Sequence, residues 1–263
     1  MKVLLVGGKG FLGRSVKNKL KDKEVFVLGR NAKGKNSIKK DITKEYLDLK
    51  DFDVIVNFAG LSPLKKPKNT SYKDVHVVGV RNIIVGMKEK AKLIHISAIG
   101  ANTKSENEYL RTKGKAEYLI KKSGINSTII RPSIIFDKNN EFFKTLNKTL
   151  LIPFFPNIKT KVKPIYRKDL ANLIAKEVKL RKGKGIIEAC SDKVYTIYEF
   201  AKLYRKNKGY PTIKIPYFLF KPIYYLYCII FESKEQYTIL KYDNVGKELK
   251  KIKKYEDWLK EIN

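Results

Sequence analysis

Tyr109 and Lys113 stand four residues apart in the stretch EYLRTKGKAE. On a helix that spacing puts both side chains on one face. An ammonium beside a phenol favours the phenolate, so the pair could exchange a proton with a substrate oxygen near neutral pH. With 16 tyrosines in a chain this rich in lysine, such a pair also arises by chance. Its place sets it apart, because it follows an apolar run that ends His95-Ile96-Ser97.

The second group with chemical potential is Gly7-Gly8-Lys9-Gly10-Phe11-Leu12-Gly13, a GxxGxxG run directly after the apolar Lys2–Val6. A glycine turn between strand and helix leaves the first helical N–H groups free for a pyrophosphate, helped by the helix dipole. Small residues let the backbone approach the phosphates and let helix and sheet pack closely. A plain glycine turn is the alternative. The ATP-type phosphate loop is excluded, since no Gly-Lys-Ser/Thr closes the run. If a dinucleotide binds, the end of the next strand chooses its ribose. An acid there would accept from a 2′-hydroxyl, but this strand ends Leu28-Gly29-Arg30-Asn31. Arg30, with Lys9 inside the glycine loop, favours a 2′-phosphate and therefore NADP(H) over NAD(H). Asp41 could accept from an adenine amino group or could cap a helical turn over Thr43–Leu47. Asn57-Phe58-Ala59-Gly60 ends another apolar run, and its small Ala59 and Gly60 would let a ribose pass near the backbone; a simple strand-end turn is again the alternative.

These residues need a frame that holds them at one edge. Lys2–Val6, Glu24–Leu28, Asp53–Asn57, Leu93–Ser97 and Ser127–Arg131 read as strands, with helical stretches after the glycine run and near 71–90 and 105–122. Strands alternating with helices imply βαβ units, and continuously apolar strands imply a sheet covered on both faces. The expected fold is α/β, a doubly wound parallel Rossmann sheet over residues 1–136. Residues 137–263 are expected to form a smaller, mostly helical lobe on the substrate side, with 161–190 returning to the sheet. Within that lobe the pattern predicts helices near 140–150 and over 167–180, strands near 161–165 and 186–190, and a largely helical remainder. Seven aromatics cluster at 217–231: Tyr217, Phe218, Phe220, Tyr224, Tyr225, Tyr227 and Phe231.

The 263 residues are 43% apolar and 11% aromatic, enough for a sizeable core and incompatible with a disordered chain. Two cysteines, Cys190 and Cys228, give no disulfide framework, and His76 and His95 cannot build a metal site alone. The opening MKVLLVGG is too short for a signal peptide and no run reaches the ~20 apolar residues of a membrane span. A reducing, cytoplasmic location is therefore expected, with a possible seat at the inner face of the membrane. The formal net charge is +31, carried almost wholly by lysine and spread along the chain. It fits either a lysine-rich solvated surface or an anionic partner such as lipid. Scarcity of arginine, the residue that makes bidentate contacts to bases and phosphates, argues against nucleic acid.

GGKGFLG at 7–13, Asp41, NFAG at 57–60, Tyr109-xxx-Lys113 and IRPSIIF at 130–136 together resemble the short-chain dehydrogenase/reductase superfamily in its atypical or extended, epimerase/dehydratase-like branch. HISAIGAN, YLRTKGKAEYLI, KPIYRKDLANLI and VYTIYEFAKL are most similar to the subgroup of the NAD(P)H-binding accessory subunit of respiratory complex I. The resemblance spans about residues 1–250. It implies that Gly7, Lys9, Gly10, Phe11, Leu12 and Gly13 form the phosphate turn and that Arg30 and Asp41 meet the adenosine. It further implies that Ala59 and Gly60 border the ribose, Pro132 borders the nicotinamide, and Tyr109 and Lys113 are catalytic, Lys113 also holding the nicotinamide ribose. Two positions depart from the family. The usual catalytic serine is Ala98 here, with Ser97 one residue early and turned away by strand alternation, although Ser97 remains a candidate donor. The usual helix-four asparagine is His76. The expectation is an NADP(H)-dependent oxidoreductase or isomerase acting on a small molecule that the sequence does not name. The alternative is a non-catalytic cofactor-binding scaffold of a membrane-associated redox complex, touching anionic lipid through 215–231; a tyrosine-lined substrate lobe is the other reading of that segment.

Overall fold

The computed structural model describes residues 1–64, 69–138, 140–231 and 234–262. In chain order its first part runs β1 (Lys2–Val6), α1 (Phe11–Lys17), β2 (Glu24–Leu28), β3 (Ser37–Ile38) and β4 (Val54–Asn57). A π-helical stretch at Asp74–Val78 then runs into α2 (Gly79–Gly86), followed by β5 (Lys92–Ile96), α3 (Glu108–Lys122) and β6 (Ser127–Pro132). Next come β7 (Ile135–Phe136), α4 (Glu141–Lys148), β8 (Phe154–Pro156), β9 (Lys161–Val162), β10 (Ile165–Tyr166), α5 (Arg167–Lys179) and β11 (Gly185–Ala189). The chain ends with β12 (Tyr195–Thr196), α6 (Ile197–Asn207), β13 (Ile213–Ile215), α7 (Tyr217–Phe231), α8 (Lys234–Thr238) and α9 (Tyr255–Glu261).

Seven strands form one sheet in the order β11-β6-β5-β4-β1-β2-β3. The pairs β3–β2, β2–β1, β1–β4, β4–β5 and β5–β6 are parallel. This is a doubly wound Rossmann sheet. Register aligns Val6 with Asn57 and Asn57 with His95, so three strands deliver their carboxyl ends to one edge. Leu4, Val6, Ile55 and Leu93 are buried with Val80, Ile83, Ala116 and Ile120 of α2 and α3. That burial explains why these strands carry runs of Val, Ile and Leu rather than an alternating pattern.

The chain divides into two compact units. The first holds Met1–Leu61, Pro67–Pro132 and Arg167–Glu188; the second holds Ser62–Lys66, Ser133–Tyr166 and Ala189–Asn263. In the first, α5 is pinned to the sheet by a buried ion pair. Lys92 Nζ lies 3.5 Å from Glu177 Oε2 and donates to the carbonyls of Glu177 and Leu180. The second unit has its own aromatic core of Phe136, Phe143, Phe200, Tyr204, Tyr255 and Trp258. It contains more strand than the sequence pattern predicts: β8 pairs with β13 and β9 with β12. Segments of two or three residues are too short for a period to register; helix still predominates in this unit, as expected, through α4, α6, α7, α8 and α9. Among the described residues no helix is long and apolar enough to cross a membrane.

Candidate functional site

The glycine run folds as a strand-to-helix turn. Gly7 has φ +72°, a left-handed conformation that favours glycine, and its N–H donates to Leu28 O at 2.8 Å. A Cβ on Gly7 would sit 3.0 Å from Ala59 N. One on Gly13 would meet Gly8 Cα and O at 2.6 Å, so helix α1 can approach the turn only without a side chain there. Gly8 is a residue the spacing argument missed. A Cβ there would lie 2.7 Å from Leu5 Cβ; the doubled Gly7-Gly8 was the available signal. Gly10 is the N-cap of α1, no side chain caps this end, and no acid occupies the first turn. The N-terminus of α1, with Phe11 and Leu12 in its first turn, is thus left without a competing carboxylate, which fits a phosphate ligand.

At the end of β2, Arg30 is exposed. Lys9 reaches from the glycine turn to the same loop, donating from Nζ to Asn31 O at 3.1 Å and Lys33 O at 3.4 Å. Lys9 Nζ is thus held on the loop that follows Arg30, the region where the sequence predicts a 2′-phosphate. Asp41 accepts from the Thr43 amide at 2.9 Å and the Thr43 hydroxyl at 2.8 Å. Burial pushes its carboxyl up, but those donors, with Arg30 and Lys44 nearby, outweigh it and hold the pKa below the usual range. The local turn alternative for Asp41 is therefore visible in its bonds, and Arg30 stands within its field.

Under the opposite end of the same sheet edge lies a polar cluster in the first unit. Asn107 caps α3, accepting from the Leu110 amide at 3.0 Å. The helix then carries Tyr109, Thr112 and Lys113. Tyr109 is half-buried and meets Tyr72 (ring centroids 6.0 Å) and His76 (5.7 Å) edge-on. Burial, with Tyr72 beside it, pushes its phenol above the usual value. The sequence expectation was the reverse, a phenol lowered by Lys113. Desolvation outweighs any such pull, and Tyr109 is a neutral phenol in this structure.

Lys113 is buried and donates to Ile96 O at 2.9 Å. Burial lowers its ammonium to about 8, with Glu117 acting in the other direction. A Cβ on Gly60 would be 3.2 Å from Lys113 Nζ and 3.5 Å from His76 Nε2, so both groups flank the bare backbone of Gly60. His76 Nε2 accepts from the Leu61 amide at 3.1 Å and Nδ1 lies 2.9 Å from Thr112 Oγ1. Because the Thr112 hydroxyl donates to Glu108 O, the imidazole proton is assigned to Nδ1. Burial and the neighbouring Lys113 hold His76 well below its ordinary pKa, hence neutral. Next to it, Asn57 Oδ1 accepts from the Ala59 amide, so its Nδ2 donates to His95 Nδ1 at 3.2 Å. His95 Nε2 is then a buried N–H without a partner among the described residues. Sequence reading noticed His76 only as a departure from a family pattern. Tyr72 and Thr112 carried no signal of their own.

Ser97 has a different partner. Its hydroxyl donates to Glu117 Oε1 at 2.5 Å, and Glu117 also takes two bonds from Arg131, from Nε at 2.8 Å and from the terminal nitrogen at 2.5 Å. Pro132 closes β6 and its carbonyl accepts from Ile99. The structure thus brings together Tyr109, Lys113, Gly60 and His76, and separately Lys9 with the loop after Arg30. It ties Ser97 to Glu117, a buried carboxylate paired with the part-buried Arg131.

Comparison with known proteins agrees with this architecture. The family model described as the RmlD substrate binding domain matches residues 1–223. The mitochondrial NADH dehydrogenase [ubiquinone] 1 alpha subcomplex subunit 9 of Dictyostelium discoideum is 30% identical over 169 residues, 62% of this chain and 47% of that protein. The Mus musculus subunit of the same name is 27% identical over 175 residues, 64% of this chain and 41% of its own length. The chain therefore spans less than half the length of these curated relatives. Among solved structures, human epimerase family protein SDR39U1 (isoform 2) with NADPH is similar at TM-score 0.72 and 15% identity, covering 100% of this chain and 99% of that one. A dTDP-4-dehydrorhamnose reductase ortholog from Clostridium acetobutylicum is similar at TM-score 0.65 and 20% identity, covering 82% and 83%. At such identities these two likenesses concern the fold. The match over residues 1–223, with the sheet order and the glycine turn, places this chain in the RmlD substrate binding domain family, a branch of the NAD(P)-binding short-chain dehydrogenase/reductases.

Proposed function

We propose that this protein is an NADP(H)-dependent oxidoreductase in which Tyr109 supplies a proton to a substrate oxygen. The observation that carries the reading is the meeting of two features at one sheet edge: an uncapped, carboxylate-free glycine turn and the Tyr109–Lys113–His76 cluster around Gly60. The turn suits a pyrophosphate, because Gly7, Gly8 and Gly13 let α1 pack directly against the strand ends while its N-terminal amides stay uncapped. Lys9 and Arg30 would hold a 2′-phosphate, Ala59 and Gly60 would border the ribose, and Pro132 the nicotinamide. When bound, NADP(H) supplies hydride exchange at the nicotinamide ring.

The chain's own groups divide the remaining work. Tyr109, kept protonated by burial, is a donor suited to an oxygen that gains negative charge. Lys113 is a cation at neutral pH. It would stabilise that charge and the Tyr109 phenolate left after transfer, and it would hold the ribose hydroxyls. Neutral His76 cannot compete for the proton and fixes the Leu61 backbone beside Gly60. Ser97, already donating to Glu117, acts by positioning Arg131 and β5. The test is twofold. Replacing Lys9 and Arg30 with alanine should weaken NADPH by at least about tenfold and leave NADH within about twofold, as expected for lost charge-assisted phosphate contacts. Tyr109→Phe should abolish reduction of carbonyl substrates with NADPH binding intact.

A second reading is a cofactor-binding accessory protein of a membrane redox assembly, without turnover. It is supported by Ala98 where the family places its serine, by the engagement of Ser97 with Glu117, and by the respiratory-subunit names of the curated relatives. In that case NADP(H) would bind and Tyr109→Phe would change no reaction.

A further inference from the structure

The second unit exposes apolar side chains that its fold holds out deliberately. Leu151 is 86% exposed, the most of any large apolar residue described, and Ile152 and Phe154 follow at 54% and 52%. Phe154 is paired with Ile213, itself 50% exposed, on the parallel β8–β13 ladder. Paired residues share a face, so Phe154 and Ile213 present one surface. Two residues beyond β13, the first turn of α7 exposes Phe218 and Leu219. Isolated exposed leucines are ordinary, whereas a contiguous group marks an interaction site.

This tip is held firmly. Arg205 of α6 is fully buried, and its guanidinium donates to Thr149 O at 2.9 Å, Leu150 O at 3.2 Å, Ile152 O at 2.6 Å, Pro211 O at 3.1 Å and Thr212 Oγ1 at 3.2 Å. It ties the segment before β8 to the segment before β13. Its partners are four backbone carbonyls and one hydroxyl, with no acid among them. The Leu150 and Ile152 carbonyls on either side of Leu151 are anchored inward, and the Leu151 and Ile152 side chains are exposed.

Along the chain, the segments that carry the tip are basic, and the exposed Glu199 of α6 is the acid that stands near Lys214. Residues 142–166 contain five basic and no acidic side chains, and residues 200–231 contain six basic and none acidic. Lys148 ends α4 three residues before Leu151, and Lys214 sits between Ile213 and Ile215. Lysines can lay their stems along apolar surface while their ammonium groups remain in the headgroup layer. Large apolar side chains at a tip carried on predominantly basic segments fit an anionic lipid surface.

We propose that the Leu151–Ile152–Phe154/Ile213 tip docks this protein peripherally on anionic bilayers, Leu151 and Ile152 entering the interface and the lysines meeting lipid phosphates. The inference does not depend on dinucleotide binding. It sets a tip on the strands beside the start of the 217–231 helix; of the aromatics in that helix, the side chains of Tyr227 and Phe231 lie outside the described residues.

The test is flotation of the full-length chain with phosphatidylglycerol-containing and pure phosphatidylcholine vesicles. The wild type should float with the anionic vesicles only. Leu151→Asp should reduce that binding by at least about tenfold, as expected for a lost buried leucine and an added repelled charge. Val85→Asp, an exposed position on α2 of the other unit, should float like the wild type. In Leu151→Trp, emission of the new indole should shift to the blue on vesicles and be quenched by brominated lipid, against a background from Trp258 that is already buried. Absence of flotation, or flotation equally weakened in both aspartate variants, would overturn the proposal, the second outcome showing diffuse polyelectrolyte attraction. A vesicle-free, concentration-dependent dimer in sedimentation that Leu151→Asp abolishes would overturn it too, assigning the tip to a second copy of this chain.

Discussion

Lys113 shows how burial decides what an ion can do. Its ammonium falls from the usual 10.5 to about 8 because the side chain is buried while its main hydrogen bond goes to the neutral Ile96 carbonyl. Between those values the unfolded chain binds more protons than the folded one, so the stability linked to this group rises with pH from about 8 to about 10.5. Below about 8 the burial cost is present in full. Urea titrations across that range should show the wild type gaining on Lys113→Met by on the order of 1–3 kcal/mol. A constant difference would mean that the ammonium is not desolvated. That Tyr109 and Lys113 share one helical face was legible from their spacing, but the direction of the phenol's shift was not. Spacing states that two groups share a face; it does not state that Tyr72 and His76 close over the ring and remove water. For the same reason the role of Ser97 was not readable, since its partner Glu117 lies 20 residues away and is brought in by α3 packing on β5.

At the scale of elements, close approach governs the glycine turn. Gly13→Ala would force a methyl into Gly8, where Cα and O lie 2.6 Å away, and neither is the end of a flexible chain. The expected cost is about 1–3 kcal/mol in denaturant unfolding, the usual range for overpacking, together with weakened dinucleotide binding. In the second unit Arg205→Met should cost roughly 2–3 kcal/mol, because the freed carbonyls lose a charged donor. It should also open the 149–152 segment to limited proteolysis. Most strands and helices of the first unit could be read from sequence because they are long enough to show a run or a 3.6-residue period and are bounded by glycine or a cap such as Asn107; the two-residue β3 is too short for that. The second unit resisted that reading. Its ladders β8–β13 and β9–β12 are two or three residues long, and they exist because residues some 35–60 positions apart are held together by aromatic packing and by Arg205. The helical reading near 71–90 held for Gly79–Gly86, but the π-helical turn before it, which carries His76, has no signature in local composition.

The whole molecule combines a dinucleotide-binding sheet with a net charge of +31. Diffuse positive charge attracts any polyanion weakly, and such attraction fades at moderate salt. A specific site behaves differently, because it stabilises only the folded state. NADPH at about a hundredfold excess over its Kd should raise the unfolding free energy by about 2.7 kcal/mol, whereas an equal concentration of free phosphate should do so far less. The account rests on the glycine turn gripping a pyrophosphate, with Lys9 and Arg30 reading the 2′-phosphate. Isothermal titration of the full-length chain with NADPH and NADH at moderate salt addresses this most directly. We expect one NADPH per chain, bound at least about tenfold more tightly than NADH as a charge-assisted phosphate contact allows. Flat titrations with both nucleotides would contradict the assignment of the turn, and equal affinities would contradict the role given to Lys9 and Arg30.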